Sequence, residues 1–388
     1  MRRLISIAMA AVVMGLLAAG PVRAQSTATL QGTITDAQNA IMPGVSVVIR
    51  NTATGIERTS VTDAAGQYVA ASLAPGNYTI VAHLEGFKDS TTDVELQVAQ
   101  IAVVNVKLGV AAIAENVTVT GASPLIETAT VSVGQVMQER TVQEIPLNGR
   151  HFVDLGPLMP GGSTSPANAG LSAPLRGQGS FSFMTAGNRE TSVNFMVNGI
   201  NLNDLSNSQV TFQPSINTVS EFKVDNSTFS AEYGRNSGAI VNVATRSGAN
   251  RMHGEAFDFY RDDRFDSRNY FNPGSLDTAG NVTPQSLFNR KQFGVNFGGP
   301  VVQNRSFYFG SYEGLRHKQG VDLNSGTLTD AQRVGVTDPL AKKLLAYIPT
   351  ANDLTGQRAI GSPLAPVGID QYTIDSRNNL REGDDLHF

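Results

Sequence analysis

Gln292-Phe293-Gly294-Val295-Asn296-Phe297-Gly298 decides the fold, together with Ser306-Phe307-Tyr308-Phe309-Gly310-Ser311-Tyr312-Glu313 just after it. In the first run Phe293, Val295 and Phe297 recur at every second position and share one face of an extended strand. Gly299-Pro300 and Asn304-Arg305 frame a turn, and the second run returns. Upstream, His253-Gly254-Glu255-Ala256-Phe257-Asp258-Phe259-Tyr260-Arg261 sets Phe257 and Phe259 on one face and Ala256 and Asp258 on the other. Alternating strands of about ten residues with aromatic ends suit a transmembrane β-barrel. A soluble antiparallel sheet has the same period, so the alternation alone leaves both open. Arg261-Asp262-Asp263-Arg264 has the charges to bind a cation or substrate but reads first as a solvated loop, and Lys342-Lys343-Leu344-Leu345 as a short helical patch in a long loop.

The rest of the chain agrees with a strand-and-turn protein. Its 388 residues are 41% hydrophobic and only 16% charged, with 38 glycines, against about 25% charged residues in a typical soluble domain. A net charge of −4 gives no field that would draw nucleic acid. The absence of Cys excludes disulfides, Cys-ligated zinc, thiol catalysis and a lipid-anchoring Cys. His83, His151, His253, His317 and His387 show no metal-ligand spacing, so neither a metal nor another cofactor is expected. No His-Glu-x-x-His, Gly-x-Ser-x-Gly or phosphate-cradling glycine loop occurs, so no catalytic residue is assigned and the chain is read as a non-enzyme.

The N-terminus has the form of a secretory signal peptide over residues 1–24. A basic Met1-Arg2-Arg3 precedes an apolar run from Leu4 to Ala19, and Val22-Arg23-Ala24 ends in a small residue before Gln25. No later stretch is long and apolar enough to span a bilayer as a helix.

Residues 25–108 read as a small β-sandwich. Short β-branched runs such as Val45-Ser46-Val47-Val48-Ile49 and Tyr78-Thr79-Ile80-Val81-Ala82 alternate with turns at Asp36-Ala37-Gln38-Asn39, Asp63-Ala64-Ala65-Gly66 and Pro75-Gly76. Val94-Glu95-Leu96 and Val103-Val104-Asn105-Val106 close the set. Residues 109–122 form a linker. Within it Glu115-Asn116-Val117-Thr118-Val119-Thr120 alternates Val with polar residues and has the form of a strand that could add to a sheet edge on another protein. The same pattern suits a last strand of the sandwich or a first strand of the next domain. Residues 123–248 read as a mixed α+β domain. Asn148 is placed to cap a short helix through Phe152, Val153 and Leu155, Asn198-Gly199 makes a hairpin turn after Val193–Val197, and strands follow over 219–224 and 240–245.

These motifs and those after residue 250 carry three resemblances. Gly32-x-Ile34-x-Asp36, Pro43-Gly44-Val45, Thr62-Asp63-x-x-Gly66-x-Tyr68, Leu73-x-Pro75-Gly76-x-Tyr78 and Gly86-Phe87 resemble a carboxypeptidase regulatory-like domain. That implies a transthyretin-like or carbohydrate-binding-like sandwich, acting as a ligand-binding or spacer module and not as a peptidase. Pro146-Leu147-Asn148-Gly149-Arg150, Leu175-Arg176-Gly177, Val197-Asn198-Gly199-Ile200, Val219-Ser220-Glu221-Phe222-Lys223-Val224 and the run from Ala231-Glu232-Tyr233-Gly234-Arg235-Asn236-Ser237-Gly238 to Ser247-Gly248 resemble the plug of TonB-dependent outer-membrane receptors. Asn198 departs from the Asp that many members carry there, which removes the charge from that position. His253-Gly254, Arg268-Asn269-Tyr270-Phe271, Gly298-Gly299-Pro300 and Tyr312-Glu313-Gly314-Leu315-Arg316 resemble the barrel start of Oar-like receptors.

The resemblance implies a mainly β chain: a sandwich in the periplasm, a plug, and the first strands of an incomplete antiparallel transmembrane barrel over residues 249–388 of a receptor in the outer membrane of a Gram-negative cell. It implies that Glu115, Asn116, Val117, Thr118, Val119 and Thr120 are the TonB box, which pairs with a periplasmic energy-transducing protein. It implies plug roles for Arg176, Gly177, Glu221, Glu232, Gly234, Arg235 and Gly238; Arg176, Glu221, Glu232 and Arg235 are expected either in plug–barrel ion pairs or in surface salt bridges. The partners are then a TonB-type protein, outer-membrane lipid and a small ligand such as an iron chelate, sugar or peptide, taken from plug loops over residues 161–188 and from barrel loops. About four strands are expected after residue 250, near 252–262, 289–299, 304–316 and 370–388. A single-chain barrel needs at least about eight, so the chain is expected to be part of a longer receptor. Two other classes are a soluble secreted or periplasmic carbohydrate- or peptide-binding protein and an extracellular hydrolase with a sandwich accessory domain.

Overall fold

The computed structural model describes residues 27–110, 118–120, 132–147, 149–164, 182–205, 208, 210–234, 236–268, 274, 276, 279–283, 285–320, 323–381 and 384–387. The signal-peptide assignment therefore lies outside the described residues. The chain divides into two compact units: one of residues 1–254, 296–311 and 373–388, the other of residues 255–295 and 312–372.

The first unit opens with the sandwich. Its strands are β1 (Ala28–Asp36), β2 (Ser46–Asn51), β3 (Glu57–Val61), β4 (Gln67–Leu73), β5 (Gly76–His83), β6 (Ser90–Leu96), β7 (Ile101–Val103), β8 (Val106–Leu108) and β9 (Thr118–Thr120). One sheet runs β4-β1-β7, with β8 also on β1; the other runs β3-β2-β5-β6-β9. Period-2 burial in β1 sends Leu30 and Ile34 inward, where they meet Val47, Ile49, Tyr68, Ile80 and Leu96. The Tyr68 hydroxyl donates to the Val104 carbonyl at 2.8 Å, so the buried phenol keeps a polar partner. The expected single strand across Val103–Val106 is instead broken into β7 and β8. Asn105 explains the break: its Oδ1 accepts the Thr33 N–H at 2.9 Å, replacing one backbone ladder bond with a side-chain bond.

The middle domain contains β10 (Val133–Gln138), β11 (Gly162–Thr164), β12 (Phe183–Thr185), β13 (Asn194–Val197), β14 (Ile200–Asn201), β15 (Val219–Ser227) and β16 (Ile240–Thr245). Its main sheet runs β10-β15-β16-β13-β14, and β11 pairs with β12. The β13–β16 pair is parallel and the β15–β16 pair antiparallel, so the sheet is mixed. Asn198 and Gly199, at φ 49° and 80°, make the tight turn between β13 and β14 with both central residues in the left-handed region. Phe152, Phe183, Phe195 and Phe222 fill the core, with ring centroids 5.9–6.4 Å apart in edge-on and tilted pairs. The helix expected after Asn148 is a 3-10 helix, Phe152–Leu158, with Pro157 inside it. The residue preceding it is His151, which makes no side-chain cap bond, and Asn148 lies outside the described residues.

The C-terminal strands are β17 (His253–Asp262), β18 (Phe288–Val302), β19 (Ser306–Gly320), β20 (Leu323–Gly326), β21 (Arg358–Gly361), β22 (Leu364–Arg381) and β23 (Asp384–His387). The sheet order is β17-β18-β19-β22-β23, with β20 and β21 as a separate ribbon. This sheet does not close on itself among the described residues. In β18 and β22 the burial pattern is the reverse of a soluble sheet's, whereas β19 buries Phe307, Phe309 and Leu315. Along β18 the buried positions include Arg290, Gln292 and Asn296, whereas Val295 is 49% and Phe297 44% exposed. In β22 Asp375 and Arg377 are buried while Tyr372 and Ile374 are 70% and 83% exposed. Apolar side chains facing out and polar ones facing in are what lipid on the outside and a polar lumen on the inside select.

In the second unit, residues 261–264, expected as a solvated loop, are the end of β17 and the start of a 3-10 turn, Asp263–Phe265; Arg261 and Arg264 are exposed as expected, and Asp262 is not. Asp262 is buried and accepts from the Tyr260 hydroxyl at 2.5 Å, Arg264 Nε at 2.7 Å and Asn289 Nδ2 at 2.8 Å. The reason is packing by β18, which brings Asn289 to a carboxylate that sequence spacing alone leaves exposed. Pro339–Leu344 is a helix, capped by the Asp338 side chain, which accepts the N–H groups of Leu340 and Ala341.

Candidate functional site

The chemistry-bearing groups of the first unit gather where the sandwich meets the middle sheet. After β6 the chain makes a turn at Gln97–Gln100, with Ala99 at φ 51°. Val98 is fully buried. Its N–H donates to Glu221 Oε2 on β15 at 2.6 Å. One pleat further along the same face of β15, Lys223 Nζ donates to the Ala99 carbonyl at 3.1 Å and lies 3.6 Å from Asp225 Oδ1. Gln138 Nε2, on β10, donates to Glu95 at 3.0 Å. Glu221 and Lys223 are 8% and 2% exposed. Burial pushes the Glu221 carboxyl up to about 7; the Val98 N–H opposes that, Glu95 reinforces it and Lys223 opposes it.

Beside this contact is a cavity of about 360 Å³, lined by Asn51 and Asn77 of the sandwich, by Glu139, Ser220 and Arg246 of the middle domain, and by Arg377. Arg246 is committed within it: it pairs with Glu139 at 3.0 Å, donates to the Asn217 carbonyl at 3.2 Å and lies over the Phe309 ring at 6.0 Å. Asn198 Nδ2 donates to Thr245 Oγ1 at 2.8 Å and its Oδ1 accepts the Thr245 N–H at 3.0 Å. The amide thus uses both a donor and an acceptor where an ionised Asp has acceptors alone.

The strand of greatest functional interest is β9. Thr118, Val119 and Thr120 pair in parallel with Thr91, Thr92 and Asp93 of β6. Of the three arrangements open from sequence, a strand for another protein, a last strand of the sandwich or a first strand of the next domain, the structure has the second. Glu115, Asn116 and Val117 lie outside the described residues, as do Arg176, Gly177 and Arg235. Glu232 is exposed in a turn. Glu221 is neither on the surface nor directed to a barrel strand in its recorded bond; it receives the sandwich backbone. Gly234 is exposed, and a Cβ there would meet nothing within 4 Å. Gly238 is buried, and a Cβ there would lie 2.6 Å from the Ser192 carbonyl oxygen. Lys223, Val98 and Ala99 were missed by sequence reasoning. Lys223 lay inside a quoted motif, and alternation with Glu221 was its one signal.

Among the described residues no cluster of His, Asp and Glu could hold a metal ion, and no helix is long and apolar enough to cross a membrane. The latter says nothing of strands. Residues 244–381 match the outer membrane beta barrel domain family, and residues 29–109 match the carboxypeptidase regulatory-like domain family. With the reversed burial of β18 and β22, these matches define the class: an outer-membrane β-barrel protein with an N-terminal carboxypeptidase regulatory-like sandwich. Within that class the chain is 28% identical over 311 residues to the TonB-dependent transporter Oar of Myxococcus xanthus, covering 77% of this chain and 27% of that protein. It therefore spans about a quarter of the length of the curated relative it matches. Among solved structures, the outer membrane transporter YddB from Escherichia coli matches at 11% identity and a TM-score of 0.41, over 64% of this chain and 31% of that one. Catechol 1,2-dioxygenase from Acinetobacter sp. ADP1 matches at 14% identity and a TM-score of 0.19, over 24% of this chain and 58% of that one. At those scores neither likeness bears on fold or activity.

Proposed function

We propose that this chain is the sandwich, plug and opening barrel strands of a TonB-dependent transporter that takes up a small ligand across the outer membrane. On this reading residues 25–108 are the periplasmic sandwich, 109–122 the linker, 123–248 the plug and 249–388 the barrel strands. The observation that carries it is the burial pattern of β18 and β22, with exposed Val295, Phe297, Tyr372 and Ile374 set against buried Arg290, Gln292, Asn296, Asp375 and Arg377. A soluble binding protein would pay a large solvation penalty for that arrangement, because the apolar side chains face water and the polar ones do not.

The mixed sheet β10-β15-β16-β13-β14 is the plug. Energy enters through residues 115–120, which offer backbone donors and acceptors to a periplasmic TonB-type protein by strand addition. The ligand is a small molecule of the kind such transporters carry. The chain is not an enzyme on this reading, which is supported by its likeness to a transporter.

Binding of the purified periplasmic domain of a TonB protein to the detergent-solubilised chain tests the reading. Val119→Pro removes a backbone donor and disfavours the extended pairing. Binding by the unsubstituted chain, lost in Val119→Pro, is expected. Equal binding by both, or binding by neither, would contradict it.

A further inference from the structure

The outward face of the second unit changes character along its strands. On β18 the outward positions Asn289, Lys291, Phe293 and Val295 alternate with the buried Arg290 and Gln292. Phe293 meets Tyr312 of β19 at a ring separation of 6.2 Å, and Tyr312 meets Tyr372 of β22 at 5.0 Å. Beyond this aromatic row, toward the start of β18 and the end of β19, the face turns ionic. Arg316 pairs with Asp370 at 2.7 Å, Arg264 pairs with Asp262 at 2.7 Å, and Lys291 lies over the Tyr260 ring at 5.5 Å. Lys318, two residues past Arg316 on the same face, is exposed. We propose that this belt binds the phosphate groups of outer-leaflet lipid, with Lys291 and Lys318 supplying the charge and the aromatic row packing against the lipid just below its headgroup. The proposal rests on the lipid-facing reading of β18 and β22 under Proposed function.

Strand direction puts the belt at the outer end. β18 and β19 are joined at one end by residues 303–305, whereas β19 and β22 are joined at the other by residues 321–363. Outer-membrane barrels have short periplasmic turns and longer external loops, so Phe288 and Gly320 lie at the external end. The spacing fits a bilayer. From Val295 to Lys291 the strand rises about 14 Å along its axis, which is about 10 Å of height at a tilt near 40°. An apolar band about 25 Å tall and centred near Val295 ends close to that level. The order of Val295, aromatic row and cations is then that of hydrocarbon, interface and headgroup. The charge balance favours an anion. Arg264 and Arg316 are matched by Asp262 and Asp370. That leaves Lys291 and Lys318 against Asp258, which alternates onto the same face as Tyr260. Both lysines are exposed, and neither makes an ion pair among the described residues. Arg316 is also held over the Phe293 ring at 5.9 Å, which ties the ionic row to the aromatic one.

The probe is diphosphoryl lipid A added to the purified full chain in dodecylmaltoside, with the dephosphorylated lipid as comparison. The unsubstituted chain is expected to bind the phosphorylated form at least tenfold more tightly, a reading that needs no variant to fold. Lys291→Gln with Lys318→Gln is expected to lose at least tenfold in that affinity. Lys342→Gln with Lys343→Gln, on the exposed loop helix, is expected to keep it. Equal affinity for the two forms of the lipid, unchanged affinity in the Lys291/Lys318 variant, or an equal loss in the loop variant would overturn the proposal. Excess inorganic phosphate is expected to leave lipid A bound; displacement would make this a site for free anions and overturn the lipid assignment. Bimane on Val295→Cys separates the two possible failures. Quenching by brominated lipid without a preference for phosphorylated lipid A defeats this proposal alone, and absence of quenching defeats the lipid-facing reading along with it.

Discussion

Glu221 carries the sharpest consequence at the scale of single residues. Its carboxyl in the folded chain stands near 7, against 4.5 for the exposed group. A carboxyl raised on folding adds stability that is fully present below the unfolded value and is lost as pH rises through the folded value. The stability of the contact between the sandwich and the middle sheet is therefore expected to fall between pH 4.5 and about 7, by a total on the order of 3 kcal/mol at about 1.4 kcal/mol per unit. Glu221→Gln keeps an oxygen for the Val98 N–H and removes the titration. Melting followed from pH 4.5 to 8 should slope downward in the unsubstituted chain and run flat in the variant; parallel slopes would exclude Glu221 as the group responsible. The two glycines of the middle domain separate just as clearly. Gly238→Ala drives a methyl against the Ser192 carbonyl and should cost about 1–3 kcal/mol, whereas Gly234→Ala opens onto free space and should stay within about 0.5 kcal/mol, both read from thermal melts. Glu221 and Gly238 are visible in the sequence as members of a motif. Their physical roles are not, because the partner of Glu221 is 123 residues away in the chain and local spacing has no record of it.

At the scale of elements, period-2 patterning carries far. The Phe293-Val295-Phe297 face, the Asn198-Gly199 turn and the first three strands after residue 250 are legible because each depends on neighbours within a few positions; β20 and β21 are not among the expected strands, and the strand expected over 370–388 is β22 and β23. The structure lengthens the expected strands to Phe288–Val302 and Ser306–Gly320, since ladder bonds from adjoining strands extend pairing past the apolar run. The edge on which residues 118–120 settle is not legible, because an alternating hexamer fits any open edge. Nor is the break between β7 and β8, which depends on a side-chain bond from Asn105 to a residue 72 positions away. The outward face of β18 makes its own prediction. Val295→Lys places a charge where lipid is expected, at a cost of about 2–4 kcal/mol near the bilayer midplane. Recovery in the outer-membrane fraction should drop for Val295→Lys and hold for the neighbouring inward Asn296→Ser. Equal recovery would argue against lipid contact on that face.

At the scale of the molecule, three architectures follow one another along the chain: a sandwich with a hydrophobic interior, a mixed sheet around four phenylalanines, and C-terminal strands of which β18 and β22 turn apolar side chains outward. That last inversion separates an outer-membrane protein from a soluble sandwich-plus-α+β binder, which has the same composition and period. It is most directly measured by bromine quenching of bimane placed singly at Val295, Phe297, Gln292 and Asn296, each through a Cys substitution in a chain that has no other thiol, after reconstitution into brominated phosphatidylcholine. Strong quenching at 295 and 297 with little at 292 and 296 is the expected result. Uniformly weak quenching at all four positions, with the protein remaining in the aqueous phase, would contradict the account.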